Sequence, residues 1–94
     1  MNTMKLRQQA KSLRPTVHIG KAGLTKAVIQ EIKKRLDKNK LIKIKILKSA
    51  LLLSNKKNIV ESLSNSTGGL IVDSIGNVVV LAKRTIAGNK KRNN

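Results

Sequence analysis

The sequence predicts a two-layer α/β (α+β) domain of order α-β-α-β-α-β-β around a four-stranded mixed sheet. Three observations carry this. Ile42, Ile44 and Ile46 alternate with Lys43 and Lys45, the period of a half-buried strand. Gly20-Lys21-Ala22-Gly23 separates a short strand pattern from a helical one. Branched aliphatics, 10 Ile, 12 Leu and 7 Val in 94 residues, make up about 31% of the chain. A charged chain is expected to be disordered only below roughly 20%.

Each element follows from local chemistry. Leu6, Ala10 and Leu13 form one apolar stripe, so residues 5–13 read as a helix. Pro15 stops it, because the residue before a proline avoids the helical region. Residues 16–19 alternate, with Val17 and Ile19 on one side and Thr16 and His18 on the other. Thr25 is a plausible N-cap for a helix ending near Asn39, with Val28, Ile32 and Leu36 buried and Glu31–Arg35 paired one turn apart. Residues 41–47 form the second strand, parallel to the first. Residues 50–53 fit either a strand extension or a helix start. Ser54 suits the cap of a helix over about 56–66 that buries Ile59, Val60 and Leu63 and ends at Gly68-Gly69. Residues 70–75 and 78–82 form a hairpin about Gly76-Asn77, with glycine placed for a type II′ turn. The last strand is apolar on both sides, as a central strand is. The domain covers residues 1–87, and 88–94 form a basic tail expected to be disordered.

Composition narrows the function. Lys and Arg number 21 against 4 Asp and Glu, giving a net charge of +17. That excess favours a polyanionic partner. It divides into +12 over residues 1–48, zero over 49–82 and +5 over 83–94. Without cysteine there is no disulfide framework, zinc cluster or thiol nucleophile. No apolar run is long enough to span a bilayer, and the basic faces lack an insertion face of Trp, Phe or Leu. No secretory signal is visible, so the expected compartment is the cytoplasm. The acids Glu31, Asp37, Glu61 and Asp73 lie far apart in sequence, and no paired carboxylates or triad can be assembled. A binding module is therefore expected rather than an enzyme, with no catalytic residue, metal or cofactor.

The Gly20–Gly23 loop is the candidate site. Two glycines let the backbone turn tightly and approach a ligand. The helix start beyond it carries free N–H groups and partial positive charge that favour phosphate. Lys21 and Lys26 add full charges. The spacing is neither a Walker loop nor a dinucleotide fingerprint. It also differs from a KH loop, which joins two helices, whereas this one leaves a strand.

The wider segment is more specific. It comprises Leu13-Arg14-Pro15-Thr16-Val17-His18-Ile19-Gly20-Lys21-Ala22-Gly23-Leu24-Thr25, Glu31-Ile32, Leu41-Ile42-Lys43-Ile44-Lys45-Ile46, and Ile75-Gly76 with Val78-Val79-Val80-Leu81. Over roughly residues 4–85 it resembles the YhbY family, the stand-alone form of the CRM (chloroplast RNA splicing and ribosome maturation) domain. The resemblance implies an RNA-binding module, similar in architecture to the C-terminal domain of a bacterial translation initiation factor. It implies ribosome biogenesis, on precursor RNA of the large subunit, with Gly20, Lys21, Ala22 and Gly23 as the RNA-contacting loop. Where relatives often carry an aromatic near the end of the last strand, this chain has Leu81-Ala82-Lys83-Arg84.

The candidate RNA-binding residues are Arg14, His18, Gly20, Lys21, Ala22, Gly23, Thr25, Lys26, Lys43, Lys45, Lys83 and Arg84. With no Phe, Tyr or Trp, the chain lacks the stacking platforms of many RNA binders, so phosphate, sugar and shape are expected to dominate. His18, the single histidine, has no second ligand in sight for metal or catalytic work. A monomer is expected. The alternative is a general nucleic-acid chaperone or an architectural DNA-binding protein.

Overall fold

The structure is a computed structural model that describes residues 3–84; residues 88–94, expected as a tail, lie outside the described residues. The elements are α1 (Thr3–Ala10), β1 (Pro15–Ile19), α2 (Lys26–Asn39), β2 (Leu41–Ile46), α3 (Lys48–Leu51), α4 (Lys56–Thr67), β3 (Leu70–Ile75) and β4 (Val78–Ala82). The sheet has the order β1-β2-β4-β3. β1 and β2 are parallel, and the β2–β4 and β3–β4 pairs are antiparallel. The helix-and-sheet class and the mixed four-stranded sheet are as the sequence predicts, and β4 is central.

The alternation in β2 divides the molecule into two cores. Ile42, Ile44 and Ile46 face one side, where they meet Ile32 and Leu36 of α2 and Ile59 and Leu63 of α4, with Val79 and Leu81 from β4. The opposite side holds a smaller cluster: Leu6 and Ala10 of α1 pack on Leu41, Val72, Val80 and Ala82. The two-layer expectation therefore gains a partial third layer. α1 covers that second face only at the end where β2 begins and β4 finishes. Toward the other end, Lys43, Val78 and Val80 of this face, with Ile75, line an open hollow.

Several local readings hold and some are corrected. The Thr25 hydroxyl accepts from the Val28 N–H at 3.2 Å and caps α2. Gly68 caps the end of α4 in the left-handed region, φ 73°. Gly76 has φ 58° and Asn77 is not among the positive-φ residues, the combination of a type II′ turn. α1 ends at Ala10, not at Leu13, and the next turn tightens into i to i−3 bonds such as Leu13 N–H to the Ala10 carbonyl. The apolar spacing survives that tighter turn, but Leu13 is left exposed. Ala50 and Leu51 of the ambiguous 50–53 stretch end the one-turn helix α3, an added element in the order, and Leu52 and Leu53 form the turn after it. Asn55 caps α4, accepting from the Asn58 N–H at 2.8 Å. Ser54, the expected cap, lies one residue too early, because α4 begins at Lys56 and the extended cap position next to it is Asn55; the Ser54 N–H bonds the Ala50 carbonyl in the turn after α3.

Candidate nucleic-acid interface

The loop and α2 are built as one unit. Val17 and Ile19 are drawn into the core, which fixes the end of β1, and Leu47 N–H donates to the Ile19 carbonyl at 2.8 Å. The chain then turns through Gly20–Gly23, closed by the Gly23 N–H on the Gly20 carbonyl at 2.9 Å. Gly23 has φ 73°, a conformation that side-chain-bearing residues seldom adopt. Thr25 N–H bonds the Gly23 carbonyl at 3.1 Å, and the Thr25 side chain caps the helix. The loop is thus tied to both neighbours, while Lys21, Ala22 and Lys26 stay exposed.

The other candidates divide into two groups. His18 and Lys45 are exposed register partners on the second face of the sheet, next to the loop end. Lys43 and Arg14 lie further back on that face. Lys43 Nζ donates to the Leu13 carbonyl at 3.1 Å, so that lysine also pins the turn after α1. Arg14 is exposed and lines a hollow of about 400 Å³ with Thr16, Asn39 and Lys43. Lys83 and Arg84 are elsewhere. They follow β4 at the end where α2 finishes, one helix length, about 21 Å, from the loop. There Lys83 Nζ bonds Asp37 at 2.9 Å and Arg84 Nε bonds the Gly68 carbonyl at 2.8 Å. The hydrogen bond from Lys83, and then its charge, hold the Asp37 carboxyl below the ordinary aspartate range; Asp37 in turn raises Lys83.

The distribution of carboxylates matters as much as that of lysines. Among the described residues, the ion pairs are Arg7–Asp73, Arg35–Glu31 and Lys83–Asp37. None touches the loop end, so Lys21, Lys26 and Lys45 keep their charge uncompensated. The sequence reading passed over Lys48, which opens α3 directly after β2 and is exposed beside them. Its neighbour Ser49 would lie 3.8 Å from a side chain at Gly20. It also passed over α4. The neutral stretch folds back so that Ser54, Asn58 and Ser62 form one wall of a groove of about 240 Å³, with Lys21 and Gly23 on its rim. The approach of α4 to the loop is a product of tertiary packing and leaves no local signal.

Comparisons with known proteins agree with this architecture. The CRS1 / YhbY (CRM) domain family matches residues 2–83. The chain is 40% identical over 76 residues to "Probable RNA-binding protein MJ0652" of Methanocaldococcus jannaschii, covering 81% of this chain and 56% of that protein. The match thus spans little more than half the archaeal relative. It is 31% identical over 80 residues to "Probable RNA-binding protein YqeI" of Bacillus subtilis, covering 85% and 81%. The solution structure of hypothetical protein SAV1595 from Staphylococcus aureus superposes with a TM-score of 0.72 at 29% identity, covering 99% of this chain and 90% of that one. The chain belongs to the CRS1 / YhbY (CRM) domain family.

Proposed function

We propose that this protein is an RNA-binding module that grips the sugar-phosphate backbone with the Gly20–Gly23 loop, Lys21 and Lys26. Lys45 and His18 extend the surface across the sheet, and Lys48 extends it along α3. The observation that carries the reading is the single-sign charge at the loop end: exposed lysines around a backbone turn, with no ion pair there among the described residues. Fixed cations beside a helix start attract phosphate, and releasing counterions from the nucleic acid drives binding. Family membership and two relatives named as RNA-binding proteins support RNA as the polyanion.

The target we propose is precursor RNA of the large ribosomal subunit, as the family resemblance implies, so that the protein acts in ribosome biogenesis by binding alone. Lys83 and Arg84 serve the fold first, and their share in RNA contact is secondary. Among the described residues no three His, Cys, Asp or Glu side chains cluster to hold a metal, and no helix is long and apolar enough to cross a membrane.

The test is a salt titration with a structured RNA and with duplex DNA of the same length. RNA affinity should fall log-linearly with salt, with a slope of about −0.7 to −0.9 per phosphate neutralised. Equal affinity for the duplex DNA would overturn the RNA reading. Crosslinking in cells followed by sequencing of the bound RNA checks the ribosomal assignment.

A further inference from the structure

We infer that the groove between the Gly20–Gly23 loop and α4 is a nucleobase site, which receives one unstacked base of the strand whose phosphates lie on the loop. This rests on the RNA-binding reading above and adds base contact to it, in a chain that has no aromatic residue.

The groove has the features a base requires. Its apolar surface comes from Leu24, Ala50, Ile59 and Leu53. Leu53 is 72% exposed, an apolar side chain held at the mouth of the groove without being drawn into the core. Its polar wall is Asn58, with Ser54 and Ser62. Among the described residues no side-chain hydrogen bond occupies the Asn58 amide. An amide offers one acceptor and two donors, enough to pair with the edge of a base. The volume, about 240 Å³, lies just under the roughly 300–1,000 Å³ of drug-sized pockets and suits one flat ring system.

Charge selects the occupant. Lys21 belongs both to the loop and to the rim of the groove, so a phosphate gripped by the loop stands next to the groove. The groove holds no carboxylate among its lining residues. An unstacked base needs an apolar surface on its face and hydrogen-bonding groups at its edge. In most single-strand binders the apolar surface is an aromatic ring; here leucine and isoleucine supply it.

The absence of aromatic residues makes the experiment direct. The protein has no aromatic ring apart from the His18 imidazole, which lies on the other face of the sheet. A ring-current shift on the Leu24, Leu53 or Ile59 methyls would therefore report the base of the ligand. Methyl NMR spectra of the intact protein are recorded with short single-stranded oligouridylate, oligoadenylate and a matching abasic strand. The expected result is upfield methyl shifts with a base-bearing strand and none with the abasic strand, which still binds through its phosphates.

Affinity gives a second readout. Leu53→Ser and Asn58→Ala should each weaken a base-bearing strand about five- to tenfold, at the low end of what small contacts contribute to a pocket. Abasic binding and the salt slope should not move. Leu52→Ser, equally apolar and 84% exposed but outside the groove, should change neither. Equal affinity for base-bearing and abasic strands with silent methyls would overturn the nucleobase site and leave the phosphate grip standing. Failure of every strand, abasic included, to bind would overturn both.

Discussion

At the loop end of the sheet, Lys21, Lys26 and Lys48 stand in solvent with no carboxylate to meet them among the described residues. At the far end, Lys83 holds Asp37, Arg84 holds the Gly68 carbonyl, and Lys40 Nζ donates to the Asp37 carbonyl at 2.9 Å. The residue types are the same and the uses differ. A cation beside an acid or a carbonyl is engaged in holding two segments together. A cation without one remains available to a polyanion, and its field extends over about a Debye length. The net charge of the chain therefore overstates the binding surface, because three ion pairs and the backbone contacts of the far end engage part of it.

The contrast can be broken in four ways. The largest effect is expected from Lys21→Glu with Lys26→Glu, which reverses two charges at the loop. RNA affinity should fall about a hundredfold at moderate salt, with a shallower salt slope and an almost unchanged melting temperature. An unaltered affinity would remove the loop from the interface.

Gly69→Ala, at the far end, should do the reverse. A side chain there would lie 2.8 Å from Leu81 Cγ, and Leu81 is fully buried. Forcing that core residue aside should cost about 1–3 kcal/mol in urea unfolding, with RNA affinity of the folded protein intact. Gly23→Ala crosses the two categories. Nothing lies within 4 Å of the new side chain, but the positive φ carries a strain of about 1–2 kcal/mol. Stability should fall by about that amount, and affinity about threefold as the loop backbone shifts.

The smallest effect is Lys83→Gln. RNA affinity should stay within about twofold, since the contact is with Asp37. Its stability signature lies in pH. Asp37 has its pKa depressed by Lys83, so its contribution is present above the ordinary aspartate value, about 3.9, and is lost as pH falls through the lower folded value. Lys83 is raised, so its share is present below about 10.4 and is lost as pH rises through its higher folded value. The gap in melting temperature between the natural protein and the variant should be open at neutral pH and close at both extremes. A gap independent of pH would show that the ion pair is not its source.

Much of this fold is legible in the sequence because it rests on local chemistry. The Ile42, Ile44 and Ile46 alternation, the Thr25 cap and the Gly76 turn each follow from one or a few neighbouring residues. Other features depend on distance in space. The Leu6–Ala10 stripe shows that α1 buries a face but not which side of the sheet receives it. Ser54 and Asn55 are both good caps, and the one-residue choice between them follows where the first turn of α4 begins, at Lys56. Lys83 and Arg84 read as members of the basic surface, yet the length of β4 carries them to the end opposite the loop. The approach of α4 to the loop, which brings Asn58 beside Lys21, comes from packing against Ile32 and Leu36.

β4 is one of the two inner strands of the sheet and, among the described residues, its last in sequence. One partner, β3, lies two residues away across Gly76-Asn77; the other, β2, lies across α3, α4 and β3. A chain made from its N-terminus at about 5–20 residues per second first exposes β1 and β2 as a lone parallel pair. Ile42 and Ile44 then lack Val79 and Leu81 beside them, and two strands alone are not a stable sheet. The strongly basic half of the protein is therefore synthesised before it has a fold to belong to. Closing the sheet waits for Val78–Ala82, which enters the gap between β2 and β3.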